Sequence, residues 1–399
     1  MANTIKNLLD RARPGFSLEQ GFYTNPELYT AELEQIFASN WLFAGHVSQV
    51  DNPGDYFLFE MDGESVIVLR DKTGEIKAFA NVCRHRGSRI CLEPSGSLKL
   101  LRCPYHAWAY DLDGTLISAS HMDEGFRQDD YALHSINLEI LGGLIFVCLS
   151  DKPPSLTQAK ADLTPVLELY GLADIKLAAQ KSYPIAANWK LAVENYHECY
   201  HCGPAHPEYA QMHTLKLPDD AFEPLQTAMI SRFEACGITH YVFDFQDNKA
   251  RPGEQGYAFS RSALFEGYKT GSRDGAPLAP LLGQLKDYDG GASDLNIGPV
   301  SFFLIYSDHV MAYRFIPTGV KSCRCDVFWF VRSDAIDAQD YNRDELTWLW
   351  DVTTKADETI IEDNQKGIDS RFYKPGPFSQ MEHWTQGFVD WYLQVMSNN

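Results

Sequence analysis

The chain lacks any apolar run approaching the ~20 residues that a membrane-spanning helix needs. Leu141 to Leu149 is apolar but has the length of a buried strand. Positive charge is scarce. Against 54 Asp and Glu there are 34 Lys and Arg, a net charge of −20, and such a surface repels nucleic-acid phosphates. It says little about small substrates, because a local pocket can reverse the global field. No G-x-G-x-x-G segment is present, so the chain has no dinucleotide fingerprint of its own, and neither low-complexity tracts nor internal repeats occur. The opening MANTIKNLLDRARPGF has no apolar core of signal-peptide length. Of the nine cysteines, Cys91, Cys148, Cys199, Cys202, Cys236, Cys323 and Cys325 show no disulfide-scaffold spacing. A soluble, cytoplasmic protein of a reducing compartment, without membrane or nucleic-acid partner, is expected.

The other two cysteines are the informative ones. Cys83-Arg84-His85 and Cys103-Pro104-Tyr105-His106 give the spacing C-x-H-x17-C-x2-H. Each half supplies one thiolate and one imidazole. A Rieske [2Fe–2S] cluster takes two Cys on one iron and two His on the other, whereas ordinary ferredoxin clusters take four Cys. Zinc accepts the same ligand types, but zinc fingers usually keep their cysteines together and their histidines together. Gly87 permits a turn close to the cluster and Pro104 stiffens the second tip. Tyr105 and Trp108 are candidates to shield the site from water, or ordinary packing residues.

Around this motif the pattern is all-β. Short runs at Tyr56–Phe59, Ser65–Leu69, Ile76–Ala80, Leu100–Arg102 and Leu144–Leu149 are punctuated by Asp62-Gly63, Lys72-Thr73-Gly74 and Asp113-Gly114. The expected division is a helical segment over 1–40 packing on the catalytic domain, an all-β cluster domain over 41–152, and a catalytic domain over 153–399. Within the last, helices are expected at Ser155–Leu172, Asn188–His201, Asp344–Gly367 and Trp384–Met396. Strands are expected at Val300–Ile305, His309–Pro317 and Arg324–Val331. Strands in the middle with helices around them make an α+β fold.

A second constellation, ENYHECYHCGPAHP, spans Glu194 to Pro207. On a helix, Glu198 and His201 at i, i+3 share a face, and a Gly-Pro break could return His206 to the same point. Two histidines need one carboxylate to complete the facial triad of a non-haem Fe(II) oxygenase, which keeps positions open for O2. Cys199 and Cys202 could instead join the histidines in a zinc site. His197 reads as a surface or supporting residue. His213, His240, His309 and His383 read as satisfied core or surface histidines.

With both motifs in view, the chain resembles the α subunit of Rieske non-haem iron oxygenases over nearly its whole length. CRHRG…CPYHAW is similar to the family's cluster motif, ENYHECYHCGPAHPE to its iron-binding helix, and SRFYKPGPFS to a further segment. The resemblance implies a catalytic domain with a central antiparallel sheet surrounded by helices. It implies that Cys83, His85, Cys103 and His106 hold the cluster and that His201 and His206 bind a mononuclear Fe(II). The third ligand would be Asp357, from the pattern D-x4-E-x2-Q-x-G met by Asp357, Glu362, Gln365 and Gly367; Asp351 and Asp363 are the competitors. Asn195 is expected to support the site.

Glu198 stands where ring-hydroxylating relatives commonly carry Asp, in the manner of relatives that oxidise carnitine, glycine betaine or proline betaine. The resemblance implies that this carboxylate couples the cluster of one subunit to the iron of its neighbour in a homotrimer. It also implies electrons from NAD(P)H delivered by a separate flavin/iron–sulfur reductase. A betaine hydroxylated on an N-methyl group would release formaldehyde. Hydroxylation of an aromatic ring or aromatic acid uses the same metal chemistry. A non-catalytic Rieske carrier would leave the remaining ~250 residues, more than one typical domain, without purpose. Aromatics suit a quaternary ammonium pocket, with Tyr306, Tyr313, Phe315 and Trp329 as candidates.

Overall fold

A computed structural model describes residues 2–214, 217–235 and 253–397; Cys236 and His240 lie outside the described residues. The chain divides into two compact units, one over Phe43–Pro153 and one made of the segments before and after it.

The inner unit is built from ten short strands: β1 (Leu42–His46), β2 (Asp55–Met61), β3 (Glu64–Arg70), β4 (Ile76–Ala80), β5 (Ser95–Ser97), β6 (Leu101–Arg102), β7 (Ala109–Tyr110), β8 (Leu116–Ser118), β9 (Asn137–Leu141) and β10 (Leu144–Cys148). They form three small sheets, ordered β4-β3-β2-β5, β6-β7-β8 and β1-β10-β9. The tight hairpin between β2 and β3 needs positive φ at both turn positions, and Asp62 and Gly63 adopt 28° and 91°. Its core gathers Ile67, Leu69, Phe79, Leu101, Trp108 and Tyr110, and Cys83 and Cys103 are part of that core. Asn81, fully buried, stitches the first ligand loop. Its Oδ1 accepts from the Ile90 and Cys91 amides at 2.9 Å, and its Nδ2 donates to Cys91 O and Ser65 Oγ.

The outer unit begins with α1 (Ala2–Leu9), α2 (Gln20–Thr24), α3 (Pro26–Glu32) and a π-turn over Leu33–Phe37. After the inner unit come α4 (Thr157–Leu169), β11 (Ile175–Ile185), α5 (Trp189–Tyr196), α6 (Cys202–Ala205), α7 (Pro207–Ala210) and α8 (Asp219–Ala235). Five more strands follow: β12 (Tyr257–Ala263), β13 (Gly291–Ile297), β14 (Ser301–Ile305), β15 (Val310–Gly319) and β16 (Ser322–Arg332). The chain closes with α9 (Arg343–Ile368) and α10 (His383–Ser397). The strands make one antiparallel sheet, β11-β16-β15-β14-β13-β12. Helices α5 and α9 pack on each other, α5 against β15 and β16 and α9 against β11.

Three strands escape the sequence pattern. β11 is interrupted by Lys, Gln and Pro at the sheet edge. β12 and β13 carry Ser, Arg, Asp and Asn on faces that a hydrophobic alternation does not mark.

Helix α5 is held from beneath by a buried ion pair. Glu32 accepts from Lys190 Nζ at 2.6 Å, from Tyr392 Oη at 2.6 Å and from Trp189 Nε1 at 2.9 Å. Every polar atom of that carboxylate has a partner, which a buried charge requires. Asn188 caps the helix by accepting from the Lys190 amide, an interaction worth about 1 kcal/mol.

Candidate metal centres and their family

In the inner unit the two ligand segments adopt the same backbone device. The Cys83 amide donates to Ser88 O and the Gly87 amide to Cys83 O. The Cys103 amide donates to Trp108 O and the Ala107 amide to Cys103 O. Both turns close through a left-handed residue, Gly87 at φ 76° and Ala107 at φ 59°. The two cysteines are each 2% exposed, so they point inward. The histidines stand at the rim, His106 exposed and His85 half-buried, their rings 4.6 Å apart.

Trp108 is buried and stacks on His85 at 4.8 Å. Tyr105 is 56% exposed and leans on His106, so only Trp108 is an enclosed shield. Tyr110 Oη lies 3.3 Å from Cys83 Sγ and accepts from the Arg84 amide. His85 Nδ1 is buried without a hydrogen-bond partner. An inward Cys pair, a rim His pair and an unpartnered buried imidazole nitrogen fit a [2Fe–2S] group.

The second set lies in the outer unit. Helix α5 ends at Tyr196, earlier than the expected His201, and Glu198 and His201 stand on the turn that follows. Their contact therefore comes from that turn, with no shared helix face. The Glu198 carboxylate accepts from the Tyr200 and His201 amides, and His201 Nδ1 donates to its Oε1 at 2.5 Å. Fixing Nδ1 in this way leaves Nε2 as the atom of this ring that could face a metal.

His206 arrives between α6 and α7, with Pro207 beginning the latter. Its Nε2 lies 2.8 Å from Asp357 Oδ1, and His201 Nε2 lies 3.3 Å from the same oxygen. The three ligand atoms are all within 4.8 Å of one another. Asn195 Nδ2 is 3.4 Å from His201 Nε2.

Burial raises Asp357, but the two imidazoles outweigh it and hold the carboxyl below its usual range. Burial lowers His201, but Asp357 and Glu198 outweigh that and lift its imidazole to about 9. Two imidazoles and one carboxylate converging in this way suit Fe(II) and are the donor set of the facial triad. Asp351 is engaged by Tyr183, Lys181 and Lys355, and Asp363 by Lys366; neither is in the cluster. Cys199 and Cys202 are joined as a disulfide, with Cα atoms 4.9 Å apart, contrary to the expected absence of disulfides, and they offer no thiolates to a metal.

The rest of the D-x4-E-x2-Q-x-G pattern finds its purpose here. Glu362 accepts from the Ala186 amide and Gln365 from the Asn188 amide, both at 2.9 Å. Two side chains of α9 thus lock the helix that carries Asp357 onto the entrance of α5.

A cavity of about 640 Å³ opens beside the triad, lined by Asn195, His201, His206 and Asp357 among others. Of the four aromatics singled out in the sequence, Tyr313 and Phe315 line it. Tyr306 and Trp329 do not, being packed in the core. Tyr196, Tyr209, Phe302 and Trp350 were not foreseen. Tyr196 was within view, two residues before Glu198 in the iron motif. His197 is half-buried, in keeping with the supporting rather than the surface reading. It stands in the cavity wall against Phe302 and Phe388, and burial lowers its imidazole to about 4. His213 is satisfied by Tyr209 O and Tyr306 Oη; His309 pairs with Asp308 through Nδ1 alone, and its buried Nε2 has no hydrogen-bond partner among the described residues. His383 is exposed at the cavity mouth.

The Rieske [2Fe-2S] domain family matches residues 40–136, and the ring hydroxylating alpha subunit (catalytic domain) family matches residues 172–398. The chain belongs to the Rieske ring-hydroxylating α subunits. It is 34% identical over 393 residues to the glycine betaine monooxygenase oxygenase subunit of Chromohalobacter salexigens, covering 98% of this chain and 88% of that one. It is 28% identical to the carnitine monooxygenase oxygenase subunit of Escherichia coli strain K12, covering 92% and 88%.

Among solved structures, the quaternary ammonium Rieske monooxygenase CntA with substrate L-carnitine superposes with a TM-score of 0.73 at 23% identity, over 98% of each chain. A naphthalene 1,2-dioxygenase from a Rhodococcus species superposes at 0.70 and 19% identity, over 99% and 97%. These likenesses are of fold. This Rieske α subunit is an oxygenase, an oxidoreductase whose cofactors are a Rieske [2Fe–2S] cluster and a mononuclear iron. Among the described residues no helix is long and apolar enough to cross a membrane.

Proposed function

We propose that this protein is the terminal oxygenase of a monooxygenase that hydroxylates an N-methyl group of a small betaine-like quaternary ammonium compound. Cys83, His85, Cys103 and His106 hold the cluster, and His201, His206 and Asp357 hold the iron. The observation that carries the substrate class is the cavity wall. Tyr196, Tyr313, Phe302, Phe315 and Trp350 face it, and among its described lining residues there is no Lys or Arg. A desolvated cation over such rings gains ~2 kcal/mol or more. The similarity to glycine betaine and carnitine oxygenase subunits points the same way.

When bound, the iron activates O2 for attack on a C–H bond, with two electrons supplied from outside the chain. The residues do the rest. Glu198 fixes the His201 ring and tautomer, Asn195 offers an amide beside His201 Nε2, and the aromatic wall orients one methyl toward the triad while excluding water. O2, two electrons and two protons turn the N-methyl into N–CH2OH and release water. The carbinol C–N bond then breaks to give formaldehyde, the demethylated amine and a proton.

A separate NAD(P)H-dependent flavin/iron–sulfur reductase in the cytoplasm supplies the electrons, since the chain has no dinucleotide fingerprint. A homotrimer sets each cluster against the next subunit's Glu198, and a cyclic arrangement closes such a head-to-tail contact. In support of subunit-to-subunit coupling, the structure of one quaternary ammonium Rieske monooxygenase with this fold concerns inter-subunit electron transfer.

The test is a panel of betaines and aromatic acids, scored by O2 uptake and formaldehyde with a surrogate reductase. Formaldehyde equimolar with O2 for a betaine is expected. Oxidation of aromatic acids, with none of the betaines giving formaldehyde, overturns the reading in favour of ring hydroxylation.

A further inference from the structure

The cavity contains a carboxylate that the iron site does not use. Asp294 lies on β13, in register with Ser260 of β12 and Leu304 of β14, and all three line the cavity. Its side chain makes no hydrogen bond or ion pair among the described residues. Among the described residues, the four fully buried carboxylates of the outer unit are matched. Glu32 has Lys190, Asp289 has Arg261, Asp326 has Arg314 and Asp308 has His309. Beside Asp294 stand the neutral phenols of Tyr196, Tyr209 and Tyr306.

With nothing of opposite charge nearby, burial pushes its carboxyl up to about 7. Asp294 is half-buried in the cavity wall, and an acid held there without a partner is costly to keep. A quaternary ammonium ion, for its part, has no N–H to donate. It is recognised by ring faces and by negative charge that no donor has already saturated.

We propose that Asp294 is the counter-charge for the onium group of the substrate, and that it makes the cavity prefer a cation over a neutral group of the same shape. This rests on the quaternary ammonium reading above. The aromatic wall fits the shape of a trimethyl head whether its centre is nitrogen or carbon; Asp294 tells the two apart. It is a specificity residue. It takes no part in holding the iron, for which the triad is complete without it.

The experiment compares binding of glycine betaine with that of 3,3-dimethylbutyrate, in which carbon replaces the ammonium nitrogen. Both are measured by calorimetry on the metal-loaded protein. Wild type should prefer the betaine, and Asp294→Asn should weaken betaine binding by about tenfold or more, a change of about 1.4 kcal/mol. The butyrate should bind the variant as well as, or better than, wild type, and iron content should be unchanged. The ligand-free variant should also melt higher than wild type, because an unpaired acid is gone from the cavity wall; a merely structural Asp294 would make it melt lower.

If wild type prefers the betaine and Asp294→Asn keeps that preference, the counter-charge is disproved while the substrate reading stands. If wild type shows no preference for the onium, both fall. Should Asp294→Asn not fold, Asp294→Glu and Asp294→Gln differ in charge alone. Only the Glu variant should then retain the preference, and equal binding by the two overturns the proposal.

Discussion

Gln365 accepts the backbone amide hydrogen of Asn188 at 2.9 Å, one helix reaching across to the start of another. Both residues are buried, so Gln365 answers a buried donor and at the same time sets where α9 lies along α5. Asp357 sits two turns earlier on α9, so this contact helps place a carboxylate opposite His201 and His206.

Replacing Gln365 by Met should leave the Asn188 amide unsatisfied at a cost of about 1–3 kcal/mol and displace Asp357. The expected result is a protein that keeps its cluster spectrum but loads less than one mononuclear iron. Asp357→Ala, His201→Ala and His206→Ala should each remove that iron and abolish turnover. Iron analysis beside the visible spectrum reads both quantities, and full iron with full activity in Asp357→Ala would show that the ligand is elsewhere.

Tyr110 Oη stands 3.3 Å from Cys83 Sγ. A donor to a ligand sulfur withdraws negative charge and raises the cluster's potential. Tyr110→Phe should keep the cluster and lower its midpoint potential, as read by redox titration of the electron paramagnetic resonance signal. An unchanged potential would mean that the hydroxyl serves only the Arg84 amide.

Glu198 is tied to His201 through Nδ1 and two amides. Glu198→Gln should keep both metal centres and normal chemical reduction of the cluster. With substrate and O2 present, reoxidation of the reduced cluster should be many times slower than in wild type, as followed by stopped-flow absorbance. A fully active monomer in solution, or an active Glu198→Gln, would remove the case for coupling between subunits.

Glu194 lies on α5, accepting from Tyr23 Oη at 3.0 Å. Burial lifts its carboxyl to about 7, against the opposing effects of Tyr23 and Lys190. A raised carboxyl binds its proton more tightly in the folded state. The stability it contributes is therefore complete below the unfolded value of about 4.3 and is lost as pH rises toward 7. Glu194→Gln should flatten the fall in melting temperature between about pH 4.3 and 7. Asp294 has the same sign, so the two variants are compared separately. A Glu194→Gln variant whose melting curve keeps the wild-type slope across this range would contradict the assignment.

The metal motifs were readable because their ligands are near neighbours in the chain. Cys83 and His85, or Cys103 and His106, need one tight turn each, and turns are specified by residues such as Gly87. The facial pair His201 and His206 is almost as local. The shared helix face expected of Glu198 and His201 was not there, because α5 stops at Tyr196 and a turn delivers the same contact by a different path. β11, β12 and β13 were invisible for a related reason. Alternation marks strands that bury one face in an apolar core, and part of β13 faces a cavity that holds a carboxylate.

The sequence by itself determined the chemistry: which donor atoms are present, in what local geometry, and hence which two metal groups the chain can hold. Short-range spacing and ligand type suffice for that. Only the tertiary structure brought Asp357, and neither Asp351 nor Asp363, beside His201 and His206, because a contact across 151 residues depends on how α9 is pinned to α5. The same is true of the cavity. Tyr313 and Phe315 face it while Tyr306 and Trp329 do not, a difference set by strand register and helix placement, which no local pattern encodes.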